Sequence, residues 1–424
     1  MAAALGVLVS CGSVKSGEDA IAASRDSKVV VAYVTSWSEV MPDPQYMTHI
    51  NYAFGHVNES FNGVKIDNEE RLRQIVDLRK QKPELKVLLS IGGWGSGRFS
   101  EMAANDEYRR AFAADCDRVV KEFALDGIDI DWEYPTSSMA NISSSPDDTE
   151  NFTLLMQDIR AAIGNEKELT LATVASARYI DFKAILPSVD FVNIMAYDMA
   201  SAPKHHSALY PSGHSGDITS DGAVTAHLKA GVPPSKLVMG MPFYGRGGDG
   251  YPSFQDYNKV GNTDTQYTEK WDEVAQVPYL ADKNDTLVFG FENPRSLAIK
   301  CQYILDKDLL GGMYWDYSGD NEQGDLRRTV AENLLGKPHK AKVLVLTERG
   351  GQHGGFTDAG LKWLAAEGAK GNFSITEINN ARNITEAYLS QFSLVIQLDF
   401  PPYTWPKEAE DAFVKYIEAV SYTH

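Results

Sequence analysis

Four acidic residues lie within one short stretch of the chain that is otherwise apolar, DGIDIDWE, residues 126–133. The pattern is typical of a β-strand, in which alternate side chains share a face. Asp129, Asp131 and Glu133 then point to one side, while the two Ile and the Trp point to the other. Carboxylates buried at ~7 Å steps cannot all ionise freely, so at least one should hold or share a proton at neutral pH. Glu133, last in the row, is the expected general acid, and Asp126, of opposite parity, is expected to be structural.

The elements that position this row form a regular alternation of apolar, β-rich runs with helical patterns. The predicted strands cover residues 29–35, 49–55, 86–93, 127–133, 169–175, 191–197, 237–243 and 310–315. Eight such units predict an α/β fold with a closed parallel barrel of the (β/α)8 type, a TIM barrel. The alternative is an open doubly wound sheet, which usually has fewer strands and a glycine turn for phosphate, and no such turn is obvious. In a barrel the acidic row lines the interior and rises to the C-terminal mouth, where barrel active sites lie.

The chain is too long for the barrel alone, and its composition divides it into segments. We assign residues 28–336 to the barrel, with a small insertion at 247–290 between strands seven and eight. Two extra strands are predicted within that insertion, at 271–280 and 286–294. A new strand–helix pattern with about three strands begins after residue 340. Because sheets usually have ~5–6 strands, 341–424 is expected to be an incomplete three-layer α/β domain.

The bulk composition restricts the partners and the cellular location. The net charge of −18 argues against a nucleic-acid partner, since such proteins carry a basic surface. Residues 1–27 read as a signal and tether, in which LVSC (8–11) resembles a bacterial lipobox with Cys11 as the lipidated residue. This predicts a membrane-anchored lipoprotein of the bacterial cell envelope that faces the periplasm or the exterior, with no other membrane contact. Cys116 and Cys301 fall on apolar helical positions and are expected to be buried free thiols.

The stretch DGIDIDWE resembles the D-x-x-D-x-D-x-E signature of glycoside hydrolase family 18, the chitinase-like family. The likeness runs from Lys28 to about Leu335. Five further segments resemble strands of that family, in the same order: NYAFG (51–55), LLSIGGW (88–94), NIMAYD (193–198), MPFYGR (241–246) and GGMYWDYSGD (311–320). The C-terminal stretch resembles the start of the trehalose-utilisation (ThuA-like) domains through VLVLTERGGQHGGF and FSLVIQLDF, from which no independent catalysis is expected.

The resemblance implies a role for each matching residue. Glu133 would protonate the glycosidic oxygen, Asp131 would orient the acetamido group of the substrate, and Asp129 would share a proton with Asp131. Tyr197 would hydrogen-bond the acetamido group, and Trp315 would form the floor of the sugar site. The remaining substrate-binding residues implied are Met195 and Asp198, which shape the acetamido pocket, and the cleft residues Trp37, Phe54, Trp94, Tyr134, Tyr244 and Arg246.

The mechanism implied by the resemblance is retaining and substrate-assisted. Asp131 neighbours Glu133 on the same strand instead of facing it across a sugar, whereas ordinary retaining glycosidases use two carboxylates ~5.5 Å apart. In this family the acetamido oxygen of the substrate is the nucleophile, which implies N-acetylglucosamine at the cleaved position. Neither a metal nor an organic cofactor is implied. A site for a hard metal built from these acids is disfavoured, because no His residues at a suitable spacing accompany them.

Three functions fit this site. The first is hydrolysis of β-1,4-linked N-acetylglucosamine polymers or oligomers, which the sequence DIDWEY and the short insertion favour. The second is an endo-β-N-acetylglucosaminidase acting on N-glycans. The third is a non-catalytic lectin on the same barrel, which usually appears when the acid is replaced, and Glu133 is present.

Overall fold

The computed structural model describes residues 28–248, 251–260, 267–336, 341–347, 354–370, 373–382, 384–389, 392–398 and 404–421. The chain divides into two compact units, Met1–Gly336 and Lys337–His424. The lipobox residue Cys11 lies outside the described residues. Within the described ranges, no helix is both long enough and apolar enough to cross a membrane.

The first unit is built around a closed ring of strands. Numbered along the chain, its strands are β1 (Val29–Thr35), β2 (His49–Val57), β3 (Val64–Ile66), β4 (Lys86–Gly92), β5 (Gly127–Asp131), β6 (Glu168–Val174), β7 (Phe191–Met195), β8 (Leu237–Pro242), β9 (Tyr244–Gly247), β10 (Gln255–Asp256), β11 (Thr268–Asp272), β12 (Val277–Ala281), β13 (Leu287–Gly290) and β14 (Gly311–Trp315). The ring runs β1–β14–β8–β7–β6–β5–β4–β2 and closes by pairing of β2 with β1, with every pair parallel. The predicted (β/α)8 barrel is therefore confirmed.

Helices cover the outside of the ring, which explains why the barrel strands are apolar on both faces. They are Glu69–Val76, Phe99–Ala104, Asp106–Glu122, Asp148–Ile163, Phe182–Ile185, Ser220–Lys229, Pro294–Asp306 and Asp325–Leu334, while the connection after β1 contains only a short 3₁₀ helix, Pro44–Tyr46. The residues at the start of helix Pro294–Asp306 explain where it begins, because the Asn293 side chain accepts the Ser296 N–H and Pro294 takes the first helical position. Cys116 and Cys301 are buried free thiols, as expected.

The insertion differs from the prediction in extent and in strand number. It is a five-stranded antiparallel sheet in the order β10–β9–β13–β12–β11, and it begins at Tyr244 instead of residue 247. The segment 271–280, predicted as one strand, is a hairpin. Asp272 turns the chain there, because its side chain accepts the N–H groups of Val274 and Ala275 at 2.9 and 2.8 Å. A side chain that bonds the backbone two and three residues on is a turn signal, which here outweighs the β-rich composition.

Strand β5 also ends earlier than predicted. It stops at Asp131, so Trp132 and Glu133 lie beyond it. Trp132 is buried and stacks on Phe99, with ring centroids 5.3 Å apart, on the helix side that the alternation predicts. Side chains thus continue to alternate between the two faces after the strand ends at Asp131. Glu133 therefore lies at the mouth of the barrel.

The second unit contains a three-stranded parallel sheet. Its central strand β15 (Ala341–Thr347) pairs with β16 (Phe373–Ile378) on one side and with β17 (Leu394–Leu398) on the other. The accompanying helices are Gly354–Lys370, Glu386–Leu389 and Lys407–Ser421. These elements follow the strand–helix order expected for an α/β domain.

A buried ion pair in the first unit joins the loop after β7 to the end of the insertion. Lys300 and Glu292 are both fully buried and bonded to each other. The Lys300 Nζ also donates to the Ser207 carbonyl oxygen at 2.5 Å, and the Ser207 hydroxyl donates to Glu292 at 2.6 Å. Each charge is thus compensated by its partner.

We predict that Lys300→Met destabilises the protein by about 3–5 kcal/mol, because it leaves the Glu292 carboxylate buried without its cation. Lys229→Met, which changes an exposed lysine in the same way, should stay within about 0.5 kcal/mol of wild type. Calorimetric unfolding of the whole chain at pH 7 measures both effects. Equal melting temperatures for the two variants would show that the ion pair does not hold the insertion.

Candidate active site

The first unit has a cavity of about 670 Å³ at the C-terminal ends of the barrel strands. Most of the residues predicted from the sequence meet there, although they come from six different strand ends and the insertion. The predicted residues that line the cavity are Trp37, Phe54, Trp94, Asp131, Glu133, Tyr134, Met195, Tyr197, Asp198, Tyr244, Arg246 and Trp315. Asp129 lies below the cavity, within the barrel.

Asp129 is fully buried and held by four donors from four other strands of the ring. The hydroxyls of Tyr33 and Ser90 donate to one oxygen at 2.8 Å each. The Thr170 hydroxyl and the Asn193 amide donate to the other oxygen, at 2.6 and 3.3 Å. Burial raises the pKa of Asp129 and the hydrogen bonds oppose this rise without cancelling it. The carboxyl is therefore fixed in position and its acceptor sites are taken.

Asp131 lies one step higher and is 4% exposed. Its Oδ1 is buried and makes no hydrogen bond to the residues that the structure describes. Burial, followed by the charges of Glu133 and Asp129, raises the pKa of Asp131 well above its usual value. A buried acceptor without a donor is costly. The Asp131 carboxyl can therefore hold a proton, or its Oδ1 can accept a hydrogen bond from a ligand in the cavity.

Glu133 lines the cavity beyond the end of β5 and is half-buried. Burial raises its pKa to about 7; a hydrogen bond with Tyr134 lowers the pKa and the charge of Asp198 raises it. A carboxyl with such a pKa can both give and take a proton at neutral pH, which general acid–base catalysis requires.

Asp198 remains a carboxylate in the same cavity because two basic groups bind it. Arg246 donates to its two oxygens at 2.6 and 2.5 Å, and His206 lies 3.5 Å away. Burial favours the neutral form, but these hydrogen bonds outweigh burial and hold the pKa of Asp198 well below its usual range. The cavity therefore contains one carboxyl fixed as an anion beside two whose pKa values are raised.

Tyr197 presents a hydroxyl that is only weakly engaged. Its Oη contacts the Met313 thioether at 3.7 Å, and sulfur is a weak acceptor. Burial and the nearby Asp131 and Glu133 raise the pKa of Tyr197 well above its ordinary value, so the hydroxyl keeps its proton. It can therefore donate to a ligand oxygen.

Aromatic rings form the floor and rim of the cavity. The Trp315 ring stacks with Phe54 at a centroid distance of 5.6 Å, and it lies 5.6 Å from Tyr33 and 6.5 Å from Trp37. Trp37 and Trp94 are 64% and 61% exposed. These two exposed indoles flank the cavity, and their flat apolar faces suit sugar rings.

The structure adds residues that the sequence analysis missed. Tyr33 lines the floor, and its position on β1 could have been found from the inward alternation of that strand. Tyr179 stacks on Tyr134 at 5.5 Å, and Phe254 stacks on Tyr244 at 4.6 Å. Both lie in loops, where no periodicity marks them. The remaining additions to the lining are Met139, Ala172, Val174, Ala175, Ser176, Met199 and Ile218.

Asp126 is structural, as its parity predicts. Its carboxylate accepts the Val87 N–H at 2.7 Å and pairs with Arg79 at the opposite end of β5 from the cavity. Among the described residues, no group of three or more His, Cys, Asp or Glu side chains is arranged to hold a metal ion.

Comparison with known proteins agrees with the resemblance noted from the motifs. Residues 29–320 match the family model for glycosyl hydrolases family 18. The chain belongs to this family. The predicted enzyme class, a glycoside hydrolase, is thereby confirmed at the level of the family.

Curated relatives and a solved structure from three organisms are similar to this chain. Chitinase A1 of Niallia circulans is 30% identical over 72% of this chain, and this chain spans 58% of that protein's length. Chitotriosidase-1 of Mus musculus is 31% identical, with 70% of this chain and 74% of that protein covered. A solved family 18 N-acetylglucosaminidase from Paenibacillus barengoltzii has a TM-score of 0.67 and 32% identity, and covers 72% of this chain and 100% of its own.

We predict that Glu133→Gln stabilises the protein at pH 8 and has little effect at pH 4. With a folded-state pKa of about 7 and an ordinary value of 4.5, Glu133 is ionised in both states at pH 8, where its burial costs the folded state free energy. At pH 4 the carboxyl is protonated in both states and the cost is absent. The difference in melting temperature between variant and wild type should therefore grow as pH rises from 4 to 8.

The matched control is Glu166→Gln, at an exposed position outside the cavity. Its melting temperature should follow that of wild type at every pH. If the two variants behave alike, Glu133 does not have the raised pKa that the buried position implies.

Proposed function

We propose that this protein hydrolyses β-1,4-linked N-acetylglucosamine chains with retention of configuration, and that Glu133 is the general acid. The observation that carries the proposal is the pairing of Asp131, which has a buried oxygen without a donor, with Glu133, whose pKa is about 7. The relatives named above as a chitinase and a chitotriosidase support the choice of substrate.

In the first step the protonated Glu133 gives its proton to the glycosidic oxygen, and the bond from that oxygen to the anomeric carbon breaks. The acetamido oxygen of the same sugar forms a new bond to the anomeric carbon, which gives an oxazolinium ion. Asp131 accepts a hydrogen bond from the acetamido N–H and stabilises the positive charge that develops. Tyr197 donates to the acetamido group, and Trp315 supports the face of the sugar.

In the second step a water molecule attacks the anomeric carbon and opens the oxazolinium ring. The carboxylate of Glu133 takes the proton from this water and is thus restored to the acid form. Because two displacements occur at the same carbon, the product retains the β configuration. Asp129 is fixed below Asp131 by its four donors, and its charge helps to raise the pKa of Asp131.

The first test is hydrolysis of chitooligosaccharides by wild type and by Glu133→Gln. We expect short products from wild type and a rate lower by about 10²–10⁴-fold in the variant, which cannot donate the proton. The wild-type rate should also fall as pH rises through about 7, because Glu133 then loses its proton. Glu166→Gln should retain the wild-type rate and pH profile.

The same assay separates the alternatives. An N-glycopeptide that is cleaved while chitooligosaccharides are not would identify an endo-β-N-acetylglucosaminidase. Binding of both ligands without cleavage of either would identify a lectin, and the acidic row would then have no catalytic role.

A second test addresses substrate assistance. Cello-oligosaccharides of the same length carry a hydroxyl where the acetamido group would be, so they lack the nucleophile and should not be cleaved. Proton NMR of the first products from chitooligosaccharides should show the β-anomer. The α-anomer as the first product would exclude the retaining route.

Two further parts of the proposal concern segments outside the barrel. We propose that the second unit is related to trehalose-utilisation (ThuA-like) domains; its three parallel strands with accompanying helices are compatible with this relation. The lipid anchor at Cys11 and the location in the bacterial cell envelope stay predictions based on the LVSC motif.

A further inference from the structure

A serine, a histidine and an aspartate are joined by hydrogen bonds beside the cavity and take no part in the mechanism proposed above. The Nδ1 atom of His56 lies 2.8 Å from the Ser96 hydroxyl oxygen, and its Nε2 atom lies 3.0 Å from an oxygen of Asp67. None of the three residues lines the cavity. Side chains of these types, bonded in this order, are the arrangement by which hydrolases activate a serine hydroxyl. We call the three residues the Ser96 triad.

Three neighbouring elements bring the Ser96 triad together. His56 lies on β2, which pairs with both β3 and β4. Asp67 follows β3 directly, and its N–H donates to the Phe54 carbonyl oxygen at 3.0 Å. Ser96 lies in the loop after β4, and its N–H donates to the Gly93 carbonyl oxygen at 3.0 Å. Backbone hydrogen bonds therefore fix both partners of His56 against the barrel.

The hydrogen bonds determine where the protons of the Ser96 triad lie. An ionised carboxylate can only accept, so the Nε2 atom of His56 carries the hydrogen that it donates to Asp67. In the neutral imidazole the other nitrogen, Nδ1, is then an acceptor and receives the hydroxyl hydrogen of Ser96. Serine proteases use the two ring nitrogens in the opposite order, but triads are defined by geometry and roles. His56 can thus act as a base towards Ser96.

The Ser96 hydroxyl is accessible to a ligand. Gly95 and Gly97 flank it, and a Cβ atom at these glycines would meet nothing closer than 3.9 and 3.7 Å beyond their chain neighbours. The side chains of His56 and Asp67 are 30% and 40% exposed. Within the described ranges, the N–H of Gly97 makes no hydrogen bond. The N–H that follows a nucleophilic serine is a common donor to the oxyanion of acyl transfer.

The Ser96 triad borders the cavity. The Phe54 ring, which lines the cavity, lies 5.6 Å from the Trp315 ring and 6.3 Å from the His56 ring, between centroids. Trp94 also lines the cavity, and Ser96 follows it by two residues, which span at most about 7 Å. A substituent on a ligand beside Phe54 and Trp94 is therefore close to the Ser96 hydroxyl.

We propose that the Ser96 triad is a second hydrolytic site, which removes short acyl groups carried as esters on the hydroxyls of a sugar. The ester chemistry follows from the triad itself. The sugar as carrier rests on the function proposed for the neighbouring cavity.

The reaction takes place in two halves. In the first, the Ser96 oxygen forms a bond to the acyl carbon while Nδ1 of His56 takes the hydroxyl proton, and Asp67 stabilises the imidazolium. His56 gives this proton to the sugar oxygen, whose bond to the acyl carbon breaks. In the second half, His56 takes a proton from water, the water oxygen attacks the acyl carbon, and the proton passes to the departing Ser96 oxygen. The products are the sugar alcohol and a carboxylic acid.

The test uses the whole chain and three probes: p-nitrophenyl acetate, O-acetylated N-acetylglucosamine and an alkyl fluorophosphonate, which labels activated serines. We expect wild type to cleave both esters and to carry the label on Ser96, as located by peptide mass spectrometry. Ser96→Ala should lose the label and lower both ester rates by about 10²-fold or more, since base-assisted attack contributes about 10²–10⁴-fold. The matched control is Ser144→Ala, at an exposed serine without a bonded histidine, which should keep the wild-type label and rates.

The label on wild type requires no variant to fold, so it decides the chemistry alone. A wild type without label on Ser96, or ester rates that are equal in Ser96→Ala and wild type, would show that the Ser96 triad only joins loops. Cleavage of p-nitrophenyl acetate without cleavage of the O-acetylated sugar would overturn the sugar as carrier. Hydrolysis of chitooligosaccharides is measured separately on wild type. Its absence beside a labelled Ser96 would overturn the function proposed for the cavity and leave the ester chemistry in place.

Discussion

The cost of placing carboxyl groups inside a closed barrel is the constraint on which the rest of the first unit depends. Asp129 is tolerated because Tyr33, Ser90, Thr170 and Asn193 each give it a hydrogen bond. These donors come from four strands, and only a closed ring brings them to one point. Barrel closure and the acidic row are therefore linked, since an open sheet would leave Asp129 without some of its donors.

Above Asp129 the same cost is not fully offset. Asp131 has a buried oxygen without a donor, and Glu133 has a pKa near neutrality. Asp198 lies in the same cavity but stays ionised, because Arg246 binds both of its oxygens. The surroundings therefore raise the pKa of Asp131 and Glu133 and lower that of Asp198, although all three carboxyl groups line one cavity. Such separation of pKa values is the usual basis of acid–base assignments in active sites.

Much of the barrel could be predicted from the sequence, because it is built from repeating local patterns. The alternation in DGIDIDWE placed Asp129 and Asp131 on the inner face, and it remained valid for Glu133 although β5 ends at Asp131. The insertion was predicted less well. The hairpin at Asp272 depends on one side chain that caps a turn within a run of β-forming residues. Strands β9 and β10 have only four and two residues, and β9 also pairs with β13, which is distant in sequence, so no local periodicity reveals them.

The same distinction explains which cavity residues were found. Most of the predicted cavity residues lie at the ends of barrel strands, where sequence motifs mark them. Tyr179 and Phe254 lie in loops, and only the fold brings them against Tyr134 and Tyr244. Loops and insertions of a barrel vary independently of its strands. The strands therefore determine where the acidic row lies, while the segments that join them add residues such as Tyr179 and Phe254 to the wall of the cavity.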